Sequence, residues 1–338
     1  MKSLLFHGAL LAVASVVSLG VWTRDEEGDA PKTATVEVWG GSPEAVESVS
    51  YETKQRKVRL EKRTDEAGRW YVARFEKQDE APFVHPPIDG APTPPPPPPG
   101  PRQTQTFVAV KAADVLVQSL APLQALRAVG KVAPARAAEF GLDKPEGTLR
   151  LRIGGKEQVL TVGAPTPGGG ERYAKYAASG EVFAISSELT DTLVAADTRL
   201  MERDLHGFSE DEVTRVRLLK GAKQRELVRV ADKKDAWADA ATPTKADETL
   251  VNWMTKLSRV RVTEYVEKPT SPLSPDAAVI RVEYLAGSRQ LGYLELYKQP
   301  GQQGASDYLA RTEYVRWPAK VLASAAEQVD RDLASVLK

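Results

Sequence analysis

The sequence predicts an α+β protein of two tandem similar units of antiparallel sheet plus helices, placed after an N-terminal transmembrane helix. Three observations predict this class. Short segments alternate apolar and polar residues with period two, as strands do, and two leucine-rich segments have helical spacing. The third is an internal repeat at one ungapped offset of 167 residues (209 − 42): Ser42, Val46, Val49, Leu60, Asp65 and Trp70 return as Ser209, Val213, Val216, Leu227, Asp232 and Trp237.

Residues 1–24 predict a membrane anchor or a secretory signal. Lys2 precedes an apolar run from Leu4 to Trp22, near the length of about 20 residues that spans a bilayer. The long run favours an uncleaved anchor, because the best small-x-small cleavage site, Ser18-Leu19-Gly20, is followed by apolar residues. A cleaved signal and a buried helix are the alternatives. With Lys2 inside, we expect a single-pass protein of the inner (plasma) membrane with its body on the periplasmic side.

The first unit, residues 35–200, begins with a predicted antiparallel meander. Gly68 supplies one of its turns. Residues 82–105 form a Pro-rich insertion with six consecutive prolines from Pro94 to Pro99, and such a segment favours extended polyproline II. We interpret it as a solvated spacer, with a ligand for an aromatic groove as the alternative. The predicted strands are Thr35 to Trp39, Val46 to Tyr51, Lys57 to Lys62 and Arg69 to Phe75.

The helical spacing predicts a helix from Asp114 to Val129, with a kink or break at Pro122. Its leucines Leu116, Leu120, Leu123 and Leu126 match Leu250, Met254, Leu257 and Val260 at an offset of 134 (250 − 116). We expect Trp70 and Trp237 to cover the leucine face of the helix in their own units. Thr244 followed by Asp247 resembles an N-terminal capping pattern for the second helix.

Each unit then continues with a hairpin, a further strand and a terminal helix. The first hairpin turns at Gly154-Gly155 and the second at Gly287. The strands around Tyr173 and Tyr308 follow. The terminal helices are predicted from Ser187 to Asp197 and, in the second unit of residues 205–338, from Pro318 to Leu337, with Pro318 in the first turn.

Composition excludes several classes of chemistry. Lys plus Arg and Asp plus Glu both count 46, so no net charge favours nucleic acid. The chain has no cysteine, which excludes disulfides, thiolate nucleophiles and Cys-ligated zinc. Its three histidines, His7, His85 and His206, have no second ligand at zinc spacing, and no Gly-x-Ser-x-Gly elbow presents a serine to His206.

Two further segments favour loops over sites. Gly168-Gly169-Gly170 lacks the Lys and Ser/Thr of a phosphate loop and indicates a hairpin loop. The acidic run Glu210-Asp211-Glu212 could bind a cation weakly but is typical of a solvated turn. The sequence therefore predicts no catalytic residue, no cofactor-binding residue, no metal ligand and no cofactor, and a protein that is not an enzyme.

Three short motifs together resemble the domain-of-unknown-function family 4340. They are Leu120-x-x-Leu123-x-x-Leu126-Arg127-Ala128, the run Phe140-Gly141-Leu142-Asp143-Lys144-Pro145 before a strand and a Gly-Gly hairpin, and the run from Arg203 to Val213 between the units. The resemblance extends from about Val36 to the C-terminus. It implies one N-terminal membrane segment, an extracytoplasmic body and an association with ABC-type export systems of the gliding-motility kind, but no catalytic residues. The Pro-rich insertion and Pro122 depart from the family's pattern.

We therefore expect a membrane-anchored periplasmic binding or scaffold protein, accessory to an ABC-type export or motility system, with an ABC permease as its membrane partner. The alternatives are a cell-envelope enzyme acting on glycan, whose paired carboxylates would be brought together only by the fold, and a free periplasmic ligand-binding module, if the leader is cleaved.

Overall fold

The computed structural model describes residues 35–78, 100–231, 233, 235–267, 269, 273–301 and 305–338. The predicted membrane segment from Leu4 to Trp22, His7 and His85 lie outside the described residues, as does most of the Pro-rich insertion. In the ranges that the structure describes, no helix is long and apolar enough to cross a bilayer.

Two large antiparallel sheets with helices packed on them confirm the α+β class. The first sheet has nine strands and a neighbouring two-stranded ribbon, and the second sheet has eight. The strands of the first half are β1 (Val36–Trp39), β2 (Val46–Thr53), β3 (Arg56–Asp65), β4 (Gly68–Gln78), β5 (Arg102–Ala109), β6 (Leu123–Ala125), β7 (Arg127–Lys131), β8 (Gly147–Ile153), β9 (Lys156–Pro165), β10 (Glu171–Tyr176) and β11 (Glu181–Ser186).

The second sheet is formed by the rest of the chain. Its strands are β12 (Arg215–Lys220), β13 (Lys223–Arg229), β14 (Trp237–Asp239), β15 (Val262–Tyr265), β16 (Ile280–Ala286), β17 (Arg289–Pro300), β18 (Ser306–Thr312) and β19 (Ala319–Val321). The α-helices are α1 (Lys111–Leu120), α2 (Ser187–Val194), α3 (Ala196–Arg199), α4 (Glu248–Leu257) and α5 (Ala323–Val336), and short 3-10 turns cover Pro43–Ala45, Pro134–Phe140, Glu210–Glu212 and Pro275–Ala277.

The two sheets follow the same strand order. The first runs β5-β4-β3-β2-β8-β9-β10-β11-β7 and the second β14-β13-β12-β16-β17-β18-β19-β15. Position by position, β4 of the first sheet therefore corresponds to β14 of the second, and β7 to β15. The first sheet has one additional strand, β5, at its edge. One continuous cluster of buried apolar side chains extends through both halves.

The predicted helix across Pro122 is wrong beyond Leu120. Helix α1 ends at Leu120, and Leu123 lies on β6, which pairs with β1. Proline has no amide hydrogen to donate and disfavours helical geometry in the residue before it. The helix therefore ends before Pro122, and a strand follows it. The first residues of α1 and α4 are 137 positions apart (248 − 111), and so are their last residues. The predicted offset of 134 was therefore wrong by nearly one helical turn.

Three further boundaries need correction. Helix α5 begins at Ala323, not at Pro318, because buried Ala319 and Val321 continue the second sheet as β19. The cap of α4 is Asp247 itself, whose side chain accepts from the amide of Thr249, and not Thr244. The predicted Pro-rich insertion extends too far at its C-terminal end, because β5 already begins at Arg102. Residues 102–105 are all polar, so the sequence gave no alternating apolar signal there.

A close backbone crossing explains one residue of the Phe140–Pro145 motif. Gly141 follows a 3-10 turn with φ of 65°, and a Cβ there would lie 2.5 Å from the amide nitrogen of Ala164. Only glycine accepts both the positive φ and the contact without strain. The motif is therefore explained at this position by packing.

Shortening the Pro-rich segment is expected to leave the melting temperature nearly unchanged. Gln78 at the end of β4 pairs directly with Arg102 at the start of β5, so a short turn can join the two strands. Loop-closure entropy changes slowly with loop length. Calorimetry of a variant with residues 80–100 replaced by a four-residue turn measures this, and a fall of more than about 3 °C would show that the segment contributes to folding.

Candidate functional site

The segment between the two halves is hydrogen-bonded to an edge strand of each sheet. The amide of Glu202 donates to the carbonyl of Val108 on β5 at 2.9 Å, and the amide of Val262 on β15 donates to the carbonyl of Arg203 at 3.0 Å. Two edge strands, one from each sheet, are thus joined through the connecting chain. The edge groups gain partners, and the halves are fixed relative to one another.

The Glu202 carboxylate is buried at this junction and contacts both halves. It accepts from the amide of Lys111, at the first turn of α1, at 3.4 Å and from the hydroxyl of Tyr314 at 3.1 Å. The residue before α1 is Val110, which offers no side-chain cap, so a carboxylate from the connecting chain satisfies an amide and the positive end of the helix dipole. Burial, together with this carboxylate, raises the pKa of Tyr314 well above its usual range.

Arg316 links the second half to the first through an ion pair. Its guanidinium donates to both carboxylate oxygens of Asp65, at 3.1 and 3.3 Å, and lies 5.9 Å from the ring of Trp70. Trp317 meets Trp70 edge to face at 6.2 Å. Arg316 has φ of 58°, a costly backbone conformation for a residue other than glycine, which the surrounding contacts hold in place.

This ion pair predicts a pH dependence of stability. The hydrogen bonds from Arg316 hold the pKa of Asp65 below its usual range. Because the folded pKa is depressed, the contribution is present above the ordinary carboxylate pKa of about 3.9 and is lost as pH falls through the folded value. We expect the difference in unfolding free energy between the native protein and Asp65→Asn to be constant above about pH 5 and to shrink below about pH 4. Denaturant unfolding at a series of pH values measures this, and a difference independent of pH would contradict it.

A cavity of about 510 Å³ opens beside the junction. It lies between α4, the start of the second half and the N-terminal turn of α1. Its apolar wall includes Val213, Trp237, Val251, Met254, Leu257 and Tyr284, and its charged rim includes Lys111, Asp204, Glu210, Arg229, Asp235 and Arg261. The volume falls within the range of about 300–1,000 Å³ typical of ligand sites, and the lining combines polar and apolar surface in about equal parts.

Ion pairs and a cation–π contact organise the rim. Asp204 lies between Lys111 and Arg261, at 3.7 and 3.5 Å. The Arg229 guanidinium lies 4.8 Å from the ring of Trp237 and donates to the carbonyl of Val213 at 2.8 Å. Lys111, Asp204 and Arg261 are therefore paired with one another, and because the six rim residues include three of each charge, the rim is polar without being strongly of one sign.

His206 lies in the cavity wall within an aromatic cluster. Its ring is stacked on that of Phe208, with the ring centroids 4.7 Å apart, and meets the Tyr284 ring edge to face, with the centroids 4.6 Å apart. Its Nδ1 is 3.4 Å from a carboxylate oxygen of Glu313. From the sequence, His206 was considered only as a zinc ligand or as part of a Ser-His-Asp triad, and neither was favoured. The nearby Ser258 hydroxyl donates instead to the carbonyl of Thr255 at 3.1 Å.

The acidic run and the glycine run are local structure. Glu210–Glu212 forms a 3-10 turn with a capping box, in which Ser209 and Glu212 exchange hydrogen bonds. Gly168-Gly169-Gly170 lies in the loop between β9 and β10. Within the described ranges, no three His, Asp or Glu side chains come together as a metal site.

A second, smaller cavity of about 350 Å³ lies in the first half. Its lining includes Tyr51, Lys144, Thr190 and Arg172, whose guanidinium bonds to Glu146 and lies 3.9 Å from Asp191. Burial raises the pKa of Tyr51 to about 12, so its hydroxyl stays protonated at neutral pH. Its lining consists mainly of polar and charged residues, whereas the larger cavity also has an aromatic and aliphatic wall, which makes the larger cavity the better candidate site.

Comparison with known proteins gives a family and no function. No curated protein and no solved structure matches this chain. The family model described as Domain of unknown function (DUF4340) matches residues 106–277, just over half of the chain. This range covers α1, the Phe140–Pro145 motif, the junction and the α4 wall of the larger cavity. The chain therefore belongs to the DUF4340 family.

Proposed function

We propose that this protein is a periplasmic binding or scaffold protein, held at the inner membrane by its N-terminal segment and accessory to an ABC-type export system. The observation that carries the binding role is the cavity at the junction, with its apolar wall and exposed charged rim. Such a site suits recognition of a partner, because apolar contacts supply affinity while rim charges select orientation.

The junction supports a scaffold role in particular. The buried Glu202 carboxylate, the backbone hydrogen bonds of the connecting segment and the bidentate Arg316–Asp65 pair hold the two halves together. A rigid body presents its binding surface without a large ordering cost at association. The two tandem units, residues 35–200 and 205–338, would then act as a single platform beside the membrane. The proposed membrane anchor at residues 4–22 and the ABC permease as partner rest on the sequence pattern and the family resemblance.

Cross-linking in intact cells, followed by affinity purification from membranes and mass spectrometry, tests this function. We expect an ABC permease to be recovered with the full-length protein, and a variant with residues 1–24 replaced by a cleavable signal to recover less of it. The anchor itself is tested by N-terminal sequencing of the membrane-bound protein. Recovery without any membrane protein would contradict the scaffold role.

Further measurements separate the rivals and test the topology. A processed N-terminus in the soluble periplasmic fraction would indicate a free ligand-binding module. Release of sugar fragments from purified cell envelope by the protein would indicate the glycan enzyme. A cytoplasm-only fluorescent reporter fused after Lys338 should stay dark if the body is periplasmic.

A further inference from the structure

The larger cavity occupies a place that a tryptophan fills in the other half of the chain. The 3-10 turns Pro43–Ala45 and Glu210–Glu212 begin after Ser42 and Ser209 and share the repeat offset of 167 (210 − 43). Three residues before each of these serines stand Trp39 and His206. The strand orders and these turns make the two positions equivalent.

Trp39 is fixed at the C-terminal end of α1. It is 5% exposed, its ring is 5.5 Å from that of Tyr176, and its Nε1 donates to the carbonyl of Leu120 at 2.8 Å. Leu120 is the last residue of α1, as Leu257 is of α4. In the first half, an indole therefore covers the helix end and satisfies a carbonyl there.

The second half lacks that indole. His206 is smaller, and its ring lies against Phe208 and Tyr284, with Nδ1 near Glu313. The cavity is lined by Leu257 and Ser258 at the end of α4 and by Met254 one turn earlier. The cavity therefore lies at the C-terminal end of α4, and the equivalent end of α1 is covered by Trp39.

We propose that this cavity receives a tryptophan-type aromatic side chain from a partner polypeptide, in the arrangement that Trp39 adopts within the chain itself. The inference rests on the proposed binding function and names the chemistry of its partner. The apolar wall suits a planar ring, and the exposed rim, with Lys111, Asp204 and Arg261, can bond to the backbone on either side of that residue. Single aromatic anchors in pockets commonly dominate such interfaces.

Methionine NMR of the full-length protein tests this directly. The chain has three methionines, of which Met254 lines the cavity and Met201 is buried elsewhere. With ¹³C-methyl methionine, titration with N-acetyl-L-tryptophanamide should shift the Met254 signal saturably through the ring current and leave Met201 in place. N-acetyl-L-leucinamide should bind at least about tenfold more weakly.

His206→Trp is the decisive variant, because it places an indole at the position equivalent to Trp39. It should abolish the Met254 shift, with the Met201 signal reporting an intact fold. If His206→Trp does not fold, Ser258→Phe, which fills the cavity from its other side, should give the same loss. An unshifted Met254 in the native protein, or an equal shift in a filled variant, would overturn the proposal. Tighter binding of free L-tryptophan, whose charged termini a polypeptide lacks, would assign the site to an amino acid and overturn the polypeptide partner. These results are independent of whether a permease is recovered from membranes.

Discussion

Trp70→Ala is expected to lower the free energy of unfolding by about 3–5 kcal/mol, as removal of a buried tryptophan does. Trp70 is 9% exposed and lies between the halves, with the Trp317 ring at its edge and the Arg316 guanidinium beside it. The substitution removes the apolar contact with Trp317 and the ring contact of Arg316, which is already in a strained conformation. Both effects act in the same direction.

Denaturant unfolding of the native protein and the variant measures this difference. Val115→Ala is the matched control, because Val115 is 67% exposed and its loss should cost less than about 0.5 kcal/mol. Trp237→Ala, at 5% exposure, is expected to cost about 3–5 kcal/mol as well. A loss below about 1 kcal/mol at Trp70 would mean that the junction is not packed as described.

Glu202→Ala is expected to cost about 3 kcal/mol, because it leaves three partly buried donors without an acceptor, at about 1 kcal/mol each, the low end of the range for buried groups. The carboxylate accepts from the amides of Lys111 and Asp204 and from the Tyr314 hydroxyl. Without it, the first turn of α1 also loses the negative charge that compensates its dipole.

Two comparisons sharpen this test. Glu202→Gln keeps one acceptor oxygen and should recover part of the loss, which a purely steric effect would not explain. Glu327→Ala, at a carboxylate 63% exposed, removes only a surface i,i+4 pair and should change stability by less than about 0.5 kcal/mol. Equal effects of Glu202→Ala and Glu327→Ala on unfolding would contradict the bridging role of Glu202.

Much of the fold was predictable from periodicity and turn residues. The meander β2-β3-β4 and the hairpins at Gly154-Gly155 and Gly287 follow from alternation and glycine turns, and the structure confirms them. Helix register was not predictable, because leucines three and four residues apart make an alignment shifted by one turn look equally good. The short strand β19 was mistaken for the first turn of a helix, since three residues carry too little pattern to outweigh the helical spacing that follows.

The site was less predictable than the fold. The contacts of Trp70 with Trp317 and Arg316 of the second half, 246 or more positions away (316 − 70), were not predicted. No local pattern encodes such a contact. The Trp39–His206 difference was visible in the repeat, but its meaning depends on knowing that the indole reaches Leu120. Arg229 and Trp237 likewise look like ordinary strand residues until the pairing of β13 with β14 places both in the cavity wall.

Site-specific photo-cross-linking in membranes tests most directly the central claim, that the cavity beside α4 is where this protein binds its partner. A benzophenone amino acid is placed at Thr255, on the cavity rim, or at Asn252, an exposed residue of the same helix outside the cavity lining. We expect a discrete adduct with a membrane protein from Thr255, a much weaker one from Asn252, and loss of the Thr255 adduct when His206→Trp is added. Equal adducts from both positions, or a Thr255 adduct unaffected by His206→Trp, would contradict the account.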